Sequence, residues 1–156
     1  MAKHGAPQLH VDATDYRVAI IAGSWHTTVM NGLIAGARTA LESSGATHKL
    51  ITVAGSFEIP LAAQTALANG YDAVVCLGVI IRGDTPHFDF VADAVTSGLT
   101  RVQLDAGKPV GFGILTVDTD AQALDRAGLE NSTESKGQEA AEAALQLAVT
   151  VDNLAE

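Results

Sequence analysis

GVIIRGDTPHFDFV, residues 78–91, connects an apolar strand to a helix through a polar turn. The strand belongs to Ala73–Ile81 (AVVCLGVII), an unbroken apolar run that is typical of a strand buried on both faces. Thr85 is predicted to be the N-cap of the helix and Pro86 its first residue, because proline needs no N–H there. Free N–H groups at a helix start attract anions, and the neighbouring His87 can transfer a proton. The pattern predicts a functional junction, although an ordinary turn with a solvated histidine would share it.

Short apolar runs on both sides of this junction alternate with helical periodicity, which predicts βαβ units. The predicted strands are residues 17–22, residues 49–54, Ala73–Ile81 and Val110–Val117. A helix is predicted after each strand, followed by a last one from Lys136, where Ser135 and Gln138 have capping-box spacing. Four parallel strands with right-handed crossovers predict an α/β fold, a three-layer α/β/α sandwich.

The predicted fold indicates where a site should lie. Ligands of such sheets bind beyond the carboxyl ends of the strands. Trp25 follows the first predicted strand, residues 56–58 follow the second, and residues 82–87 follow the third. These segments are therefore expected to lie close together.

Composition bounds the domain organisation and the partners. With 156 residues, of which 47% are hydrophobic, the chain is expected to form one domain over residues 16–156. Residues 1–15 lack the apolar core of a signal peptide and are expected to be a flexible arm. The net charge of −9, from 9 basic and 18 acidic residues, argues against nucleic acid and anionic membrane as partners.

The single cysteine, Cys76, lies inside the apolar run of the third predicted strand. A disulfide within the chain is impossible, and a buried, inert thiol is expected. This usage fits a reducing cytoplasm. No apolar run is long enough to span a bilayer.

Several short motifs follow one another along the chain. They are GSW at residues 23–25, GSFEIP at 55–60, the stretch at 78–91, PVGFGILT at 109–116, QALDRAG at 122–128 and KGQEAA at 136–141. In this order, from residue 17 onward, they resemble the signature of the lumazine synthase family, the transferases that make 6,7-dimethyl-8-ribityllumazine in riboflavin biosynthesis. The resemblance implies a flavodoxin-like parallel sheet with strand order 2-1-3-4.

The resemblance also implies which residues contact the pyrimidine substrate. They are Trp25, Ser56, Phe57, Glu58, Val79, Ile80 and Ile81. The flat face of Trp25 suits stacking on the substrate ring, but a partly buried packing role is the alternative. Glu58 can accept hydrogen bonds from a ribityl chain, or it can simply complement a helix dipole. For Val79, Ile80 and Ile81, which end a strand, the implied contacts are made by backbone groups.

A second set of residues is implied to handle the phosphate and the proton. It comprises Asp84, Thr85, His87, Arg126 and Lys136, whereas Phe112 is implied to be a contact beside the substrate ring. His87 is the implied proton-transfer residue. Because a carboxylate repels a phosphate, the Asp84 side chain is expected to point away while Thr85 and backbone amides bind the anion. Arg126 offers a bidentate fork for the phosphate, although isolated cations such as Arg126 and Lys136 are more often solvated surface charges.

The implied reaction condenses 5-amino-6-(D-ribitylamino)uracil with 3,4-dihydroxy-2-butanone 4-phosphate. Its products are 6,7-dimethyl-8-ribityllumazine, phosphate and water. Such chemistry requires two oriented substrates, an anion clamp and proton transfer, and it needs no cofactor. The sequence has no pairs of cysteine or histidine at metal-ligand spacing, so no metal site is expected.

The resemblance further implies a homo-oligomer built from pentamers. Phe112, Arg126 and Lys136 would come from the adjacent subunit and complete its neighbour's site. The polar segment GLENSTES, residues 128–135, looks longer than the corresponding segment of capsid-forming relatives. A free pentamer is therefore expected rather than a closed shell.

Two other functions share the predicted fold. A flavodoxin-like flavin-binding module would hold the flavin phosphate in a loop after the first strand, and GSWHTT at residues 23–28 is a faint version of such a loop. An inactive shell protein is the other alternative. The presence of His87, Arg126 and Lys136 together favours an enzyme over both.

Overall fold

The computed structural model describes residues 5, 7 and 9–156, and it consists of a parallel sheet between two layers of helices. The elements are β1 Arg17–Gly23, α1 Thr27–Ser43, β2 Thr47–Val53, α2 Ile59–Ala68, β3 Ala73–Ile81, α3 His87–Ala106, β4 Val110–Val117, α4 Asp120–Asp125 and α5 Lys136–Leu154. The sheet order is β2-β1-β3-β4 with every pair parallel, which confirms the predicted flavodoxin-like sandwich. Among the described residues, no helix has the length and apolarity of a membrane span.

The central strand β3 is buried on both faces, as its unbroken apolar sequence predicts. Its side chains alternate between two cores. Val75, Leu77 and Val79 pack in the core under α1 and α5, whereas Val74 and Cys76 pack in the core under α2 and α3. Because β3 pairs with β1 on one side and with β4 on the other, it brings the ends of three strands to one edge of the sheet.

The start of α3 differs by one residue from the prediction. The helix begins at His87, and Pro86 precedes it at φ −68° and ψ 4°. The hydroxyl of Thr85 still accepts a hydrogen bond from the His87 N–H, at 3.4 Å. Thr85 therefore bonds the first N–H of the helix, although it lies one residue before the N-cap position, which Pro86 occupies.

The predicted capping box at α5 is wrong. Ser135 precedes the helix but makes no side-chain cap hydrogen bond, and the amide of Gln138 donates to Glu142 instead. The Ser135 hydroxyl fills space left by two glycines: a Cβ on Gly128 would lie 2.5 Å from it, and one on Gly36 would lie 2.8 Å from it. The Ser135 side chain therefore packs against other parts of the fold instead of capping α5.

The predicted N-terminal arm lies partly outside the described residues, which omit residues 1–4, 6 and 8. Ala13 is fully buried in the core under α1 and α5, and its N–H donates to the Ser44 carbonyl at 2.7 Å. The chain therefore reaches the core by Ala13. Flexibility of the segment before it stays a prediction.

Helices α1 and α5 cross at unusually close range because glycines line the crossing. A Cβ on Gly137 of α5 would lie only 2.0 Å from the carbonyl oxygen of Leu33 in α1. A Cβ on Gly32 of α1 would lie 2.4 Å from the carbonyl oxygen of Ala127, in the segment that precedes α5. Real Cβ atoms do not approach backbone oxygens this closely, so only glycine allows the crossing. Gly137 directly follows Lys136, and the crossing therefore determines where that side chain leaves the helix.

Replacing Gly137 by alanine should destabilise the protein by about 1–3 kcal/mol, because one added methyl group must push α1 and α5 apart. The loss would occur although alanine is the better helix former. Thermal unfolding at a fixed protein concentration measures the effect. Gly83→Ala is the matched control, since a Cβ there meets nothing within 4 Å. Equal unfolding midpoints for the two variants would contradict the role of the crossing.

Candidate functional site

A cleft of about 350 Å³ lies at the carboxyl ends of β1, β2 and β3. We call it the aromatic cleft, and it is lined by Trp25, His26, Gly55, Ser56, Phe57, Glu58, Val79, Ile80, Ile81, His87 and Val91. It unites the end of β3, the start of α3 and the two loops after β1 and β2, as the fold prediction requires. The predicted proton-transfer residue and the predicted pyrimidine contacts therefore share one cleft.

Trp25 is 69% exposed, so its ring is not a packing residue of this chain. Its loop is tied to the end of β2, because the Ser24 hydroxyl donates to the Val53 carbonyl at 2.7 Å and the Ser24 N–H donates to the Ala54 carbonyl at 3.2 Å. The indole lies over Gly55, where a Cβ would stand 3.3 Å from its Nε1. An open aromatic face is thus held over the cleft.

His26, which the sequence patterns did not single out, also lines the cleft. It has φ 58° and ψ 63°, a left-handed conformation that residues other than glycine uncommonly adopt, and it is the one such residue among the described ones. Its carbonyl accepts the first hydrogen bond of α1, from the Met30 N–H at 2.9 Å. Strained residues of this kind concentrate at functional sites, but only the folded backbone reveals the strain.

The loop after β2 is ordered by its own side chains. Glu58 Oε2 accepts a hydrogen bond from the Gly55 N–H at 3.0 Å, which closes a short 3₁₀ turn over Ser56–Glu58 before α2. The hydroxyl of Ser56 lies beside Gly78, where a Cβ would come within 2.5 Å of it. Phe57 remains 64% exposed. The loop therefore presents an aromatic ring, a hydroxyl and a carboxylate that is already shaped by one hydrogen bond.

Arg82 anchors the turn between β3 and α3. Its Nε contacts Asp118 at 2.9 Å and its Nη1 contacts Asp89 at 3.5 Å, while the guanidinium lies 4.4 Å from the centre of the Phe88 ring. The hydrogen bond to Asp118 raises the pKa of Arg82, and the charge of Asp89 adds to the effect. The sequence patterns placed Arg82 in the segment after β3 but gave it no partners, because Asp118 follows β4 and Asp89 lies in α3.

Asp84 and Thr85 lie exposed within this turn, outside the lining of the aromatic cleft. Thr85 is joined to the cleft through its contact with the backbone of His87. Phosphate binding at Asp84 and Thr85 stays a prediction. That the Asp84 side chain points away from the bound phosphate stays a prediction as well.

A second depression of about 550 Å³ follows the edge strand β4 and the facing side of α5. We call it the cationic groove, and it is lined by Val110, Gly111, Phe112, Gly113, Ile114, Leu115, Thr116, Val117, Arg126, Lys136, Glu139, Ala140, Ala143, Ala144 and Leu147. Phe112 is 47% exposed although it belongs to a strand that is otherwise mainly core. The structure therefore brings the predicted residues Phe112, Arg126 and Lys136 together.

The cations of this groove are paired with carboxylates. Lys136 Nζ lies 3.1 Å from Glu134 and 3.1 Å from Glu139, and Arg126 Nε lies 3.7 Å from Glu134. Burial lowers the pKa of Lys136, but the hydrogen bonds to Glu139 and Glu134 outweigh it and leave the pKa above its ordinary value. Lys136 is therefore a permanent cation at neutral pH.

The two depressions divide the predicted residues between them. Among the described residues, no lysine or arginine lines the aromatic cleft, whereas Arg126 and Lys136 line the cationic groove. Within one chain, the exposed indole of Trp25 and the cations Arg126 and Lys136 therefore belong to separate depressions.

Comparisons with known proteins agree with this geometry. The family model described as 6,7-dimethyl-8-ribityllumazine synthase matches residues 15–152. A protein of that name from Leifsonia xyli subsp. xyli is 58% identical, with 97% of each chain covered. Proteins of the same name from a Nocardioides species and from Streptomyces avermitilis are 57% and 54% identical, with 99% and 100% of this chain and 97% and 98% of theirs covered.

These matches extend over nearly the whole chain, including every motif on which the resemblance rests. They confirm the predicted family and the predicted enzyme class, and they do not favour the flavin-binding alternative. The chain belongs to the 6,7-dimethyl-8-ribityllumazine synthase family, whose members are transferases of riboflavin biosynthesis.

Proposed function

We propose that this chain condenses 5-amino-6-(D-ribitylamino)uracil with 3,4-dihydroxy-2-butanone 4-phosphate in a site formed by the aromatic cleft of one subunit and the cationic groove of its neighbour. The observation that carries the proposal is that Trp25 and His87 line one open cleft at the carboxyl end of the sheet. An exposed indole offers a stacking surface for a pyrimidine ring. A histidine in the same cleft offers proton transfer.

In the proposed mechanism, the protein acts mainly by orientation. Trp25 and Phe57 hold the pyrimidine, and the loop at Ser56 and Glu58 receives the ribityl hydroxyls. The amine of the pyrimidine attacks the ketone to form an imine with loss of water, and phosphate then leaves. Ring closure releases a second water and yields the product. His87 moves protons during these steps, since it lines the cleft and its backbone N–H is bonded to Thr85 in the turn before α3.

The leaving phosphate requires cations that the aromatic cleft does not contain. Arg126 and Lys136 supply them, because a guanidinium and an ammonium bind phosphate through charge-assisted hydrogen bonds. Their groove lies along β4, an edge strand whose outer side is free to meet a second copy of the chain. Apolar side chains exposed in the first turns of α2 and α3, Leu61 at 70% and Phe90 at 73%, also favour burial against another subunit.

The proposed assembly is a free homopentamer with one site at each interface. A head-to-tail interface that joins the cleft of one copy to the groove of the next gives a closed ring when the rotation between copies is one fifth of a turn, as the proposed pentamer requires. A cytoplasmic location is proposed from the fully buried, unpaired thiol of Cys76, whose pKa burial raises far above its usual value.

Incubating the protein with both substrates should produce lumazine fluorescence and free phosphate together and in equal amounts. Omitting either substrate is the control for each signal. Phosphate release without lumazine would contradict the proposed reaction. A purified protein that carries stoichiometric yellow flavin and makes no lumazine would instead support the flavin-binding alternative.

His87→Ala should slow turnover by roughly ten- to a few hundredfold, because proton transfer contributes only part of a rate that orientation dominates. The KM values should change little, since neighbouring groups hold the substrates. His10→Ala is the control, because this histidine is exposed and lines neither depression. Steady-state kinetics measure both variants. Normal turnover of His87→Ala would remove this residue from the mechanism.

Mixing inactive Arg126→Ala chains with His87→Ala chains, after dissociation and reassembly, should restore activity. In an equal mixture, about a quarter of the head-to-tail interfaces would join an intact His87 to an intact Arg126. Each variant reassembled alone is the control. Mass spectrometry of the intact rings shows whether the chains have mixed. Mixed rings that are no more active than either parent would place both residues in the site of one subunit.

A further inference from the structure

Glu134 contacts both cations of the cationic groove. Its carboxylate lies 3.1 Å from Lys136 Nζ and 3.7 Å from Arg126 Nε, and its side chain is only 9% exposed. The neighbouring carboxylate of Glu139 reaches Lys136 at 3.1 Å, and no ion pair joins it to Arg126 among the described residues. Of the two carboxylates, Glu134 is therefore the one that links the cations to each other.

The backbone holds Glu134 firmly in this position. Its N–H donates to the Asp125 carbonyl at 3.1 Å, and its own carbonyl accepts from the Gly128 N–H at 2.9 Å. Residue 127 forms a bridge with residue 135 immediately beside it. The segment between α4 and α5 thus closes on itself and directs the carboxylate inward, between the two side chains that flank it in the fold.

Glu134 is also absent from the lining of the groove, which includes Arg126, Lys136 and Glu139. It lies behind the cations rather than in the open space in front of them. Arg126 Nη1 donates to the Gln122 carbonyl at 2.9 Å, so one edge of the guanidinium is held by Gln122 and its Nε side by Glu134. The rest of the guanidinium remains available to a ligand.

Two cations that face the same small space repel each other, and a shared carboxylate between them offsets that repulsion. In a partly buried place the effect is larger than in water, because screening is weaker. Without the carboxylate, Arg126 would lose its ion pair and keep the hydrogen bond to the Gln122 carbonyl, while Lys136 would retain Glu139. Removal of the Glu134 charge therefore disturbs the alignment of Arg126 relative to Lys136, while Lys136 itself stays paired with Glu139.

We propose that Glu134 is a positioning residue, which aligns Arg126 and Lys136 as a preformed pair for the phosphate group of the four-carbon substrate. The inference rests on the proposed function. Glu134 touches neither substrate, and it acts only through the two cations. Its carboxylate opposes phosphate by charge, but preorganisation of a two-point cation pair outweighs this repulsion.

Glu134→Gln keeps the size of the side chain and removes its charge, which makes it the test. We expect the KM for the phosphate substrate to rise on the order of tenfold, with the KM for the pyrimidine and kcat changed less than about twofold. Glu134→Asp, which retains the charge, should recover part of the loss. Glu130→Gln is the matched control, because Glu130 is exposed in the same segment and should behave as the unmodified protein.

Binding of inorganic phosphate, measured by calorimetry on the assembled protein, tests the same point without turnover. It should weaken on the order of tenfold in Glu134→Gln and stay unchanged in Glu130→Gln. Unchanged or tighter phosphate binding in Glu134→Gln would overturn the proposal. Equal losses in both KM values and in kcat would also overturn it, because they indicate a general structural role. If the unmodified protein makes no lumazine but the calorimetric difference persists, the proposed reaction fails and the role of Glu134 stands.

Discussion

The contact between Gly137 and the carbonyl of Leu33 is the constraint on which the cationic groove depends. Because Gly137 has no Cβ, the start of α5 packs directly against the backbone of α1. This contact fixes the position of the first residues of α5. Lys136 precedes Gly137 directly, so the groove receives its ammonium group from the crossing itself. Gly36 and Gly128 make space for Ser135 in the same region, which ties the segment that carries Glu134 to the same packing. One helix crossing thus determines the position of several charges.

The chain is acidic as a whole, and yet it is proposed to bind an anionic substrate. The structure reconciles these facts by local pairing: Arg126 and Lys136 are concentrated in one groove and are partly neutralised by Glu134 and Glu139. A half-buried ammonium without carboxylates would be costly, and paired cations can be kept at fixed positions before the ligand arrives. The field at a site is set by nearby, weakly screened charges, so the net charge of −9 does not decide what the groove binds.

Much of the fold was predictable because its strands are apolar runs with sharp polar ends. Strands β3 and β4 were predicted to the residue, since Asp72 and Arg82 bound the first and Pro109 and Asp118 bound the second. The start of α3 was missed by one residue, because Thr85 bonds the N–H of His87 while Pro86 stays outside the helix. The cap of α5 was missed because Ser135 packs against Gly36 and Gly128. In the site, clustering after β1, β2 and β3 follows from parallel topology. His26, Arg82 and Glu134 were not predictable, because a strained φ angle and ion pairs between distant segments exist only after folding.

An edge strand such as β4 presents unpaired backbone groups and invites association. This chain has placed an exposed Phe112 and the cationic groove along that edge, although a protein that works as a monomer would gain nothing from exposing them. In the proposed ring, one interface covers the β4 edge of a copy and also brings the cationic groove of that copy to its neighbour's aromatic cleft. The cost of leaving an edge open is then offset by assembly, and no subunit can bind both substrates before its neighbour is in place. In the proposed ring, the separation of Trp25 from Arg126 and Lys136 within one chain therefore follows from the use of the sheet edge as an interface.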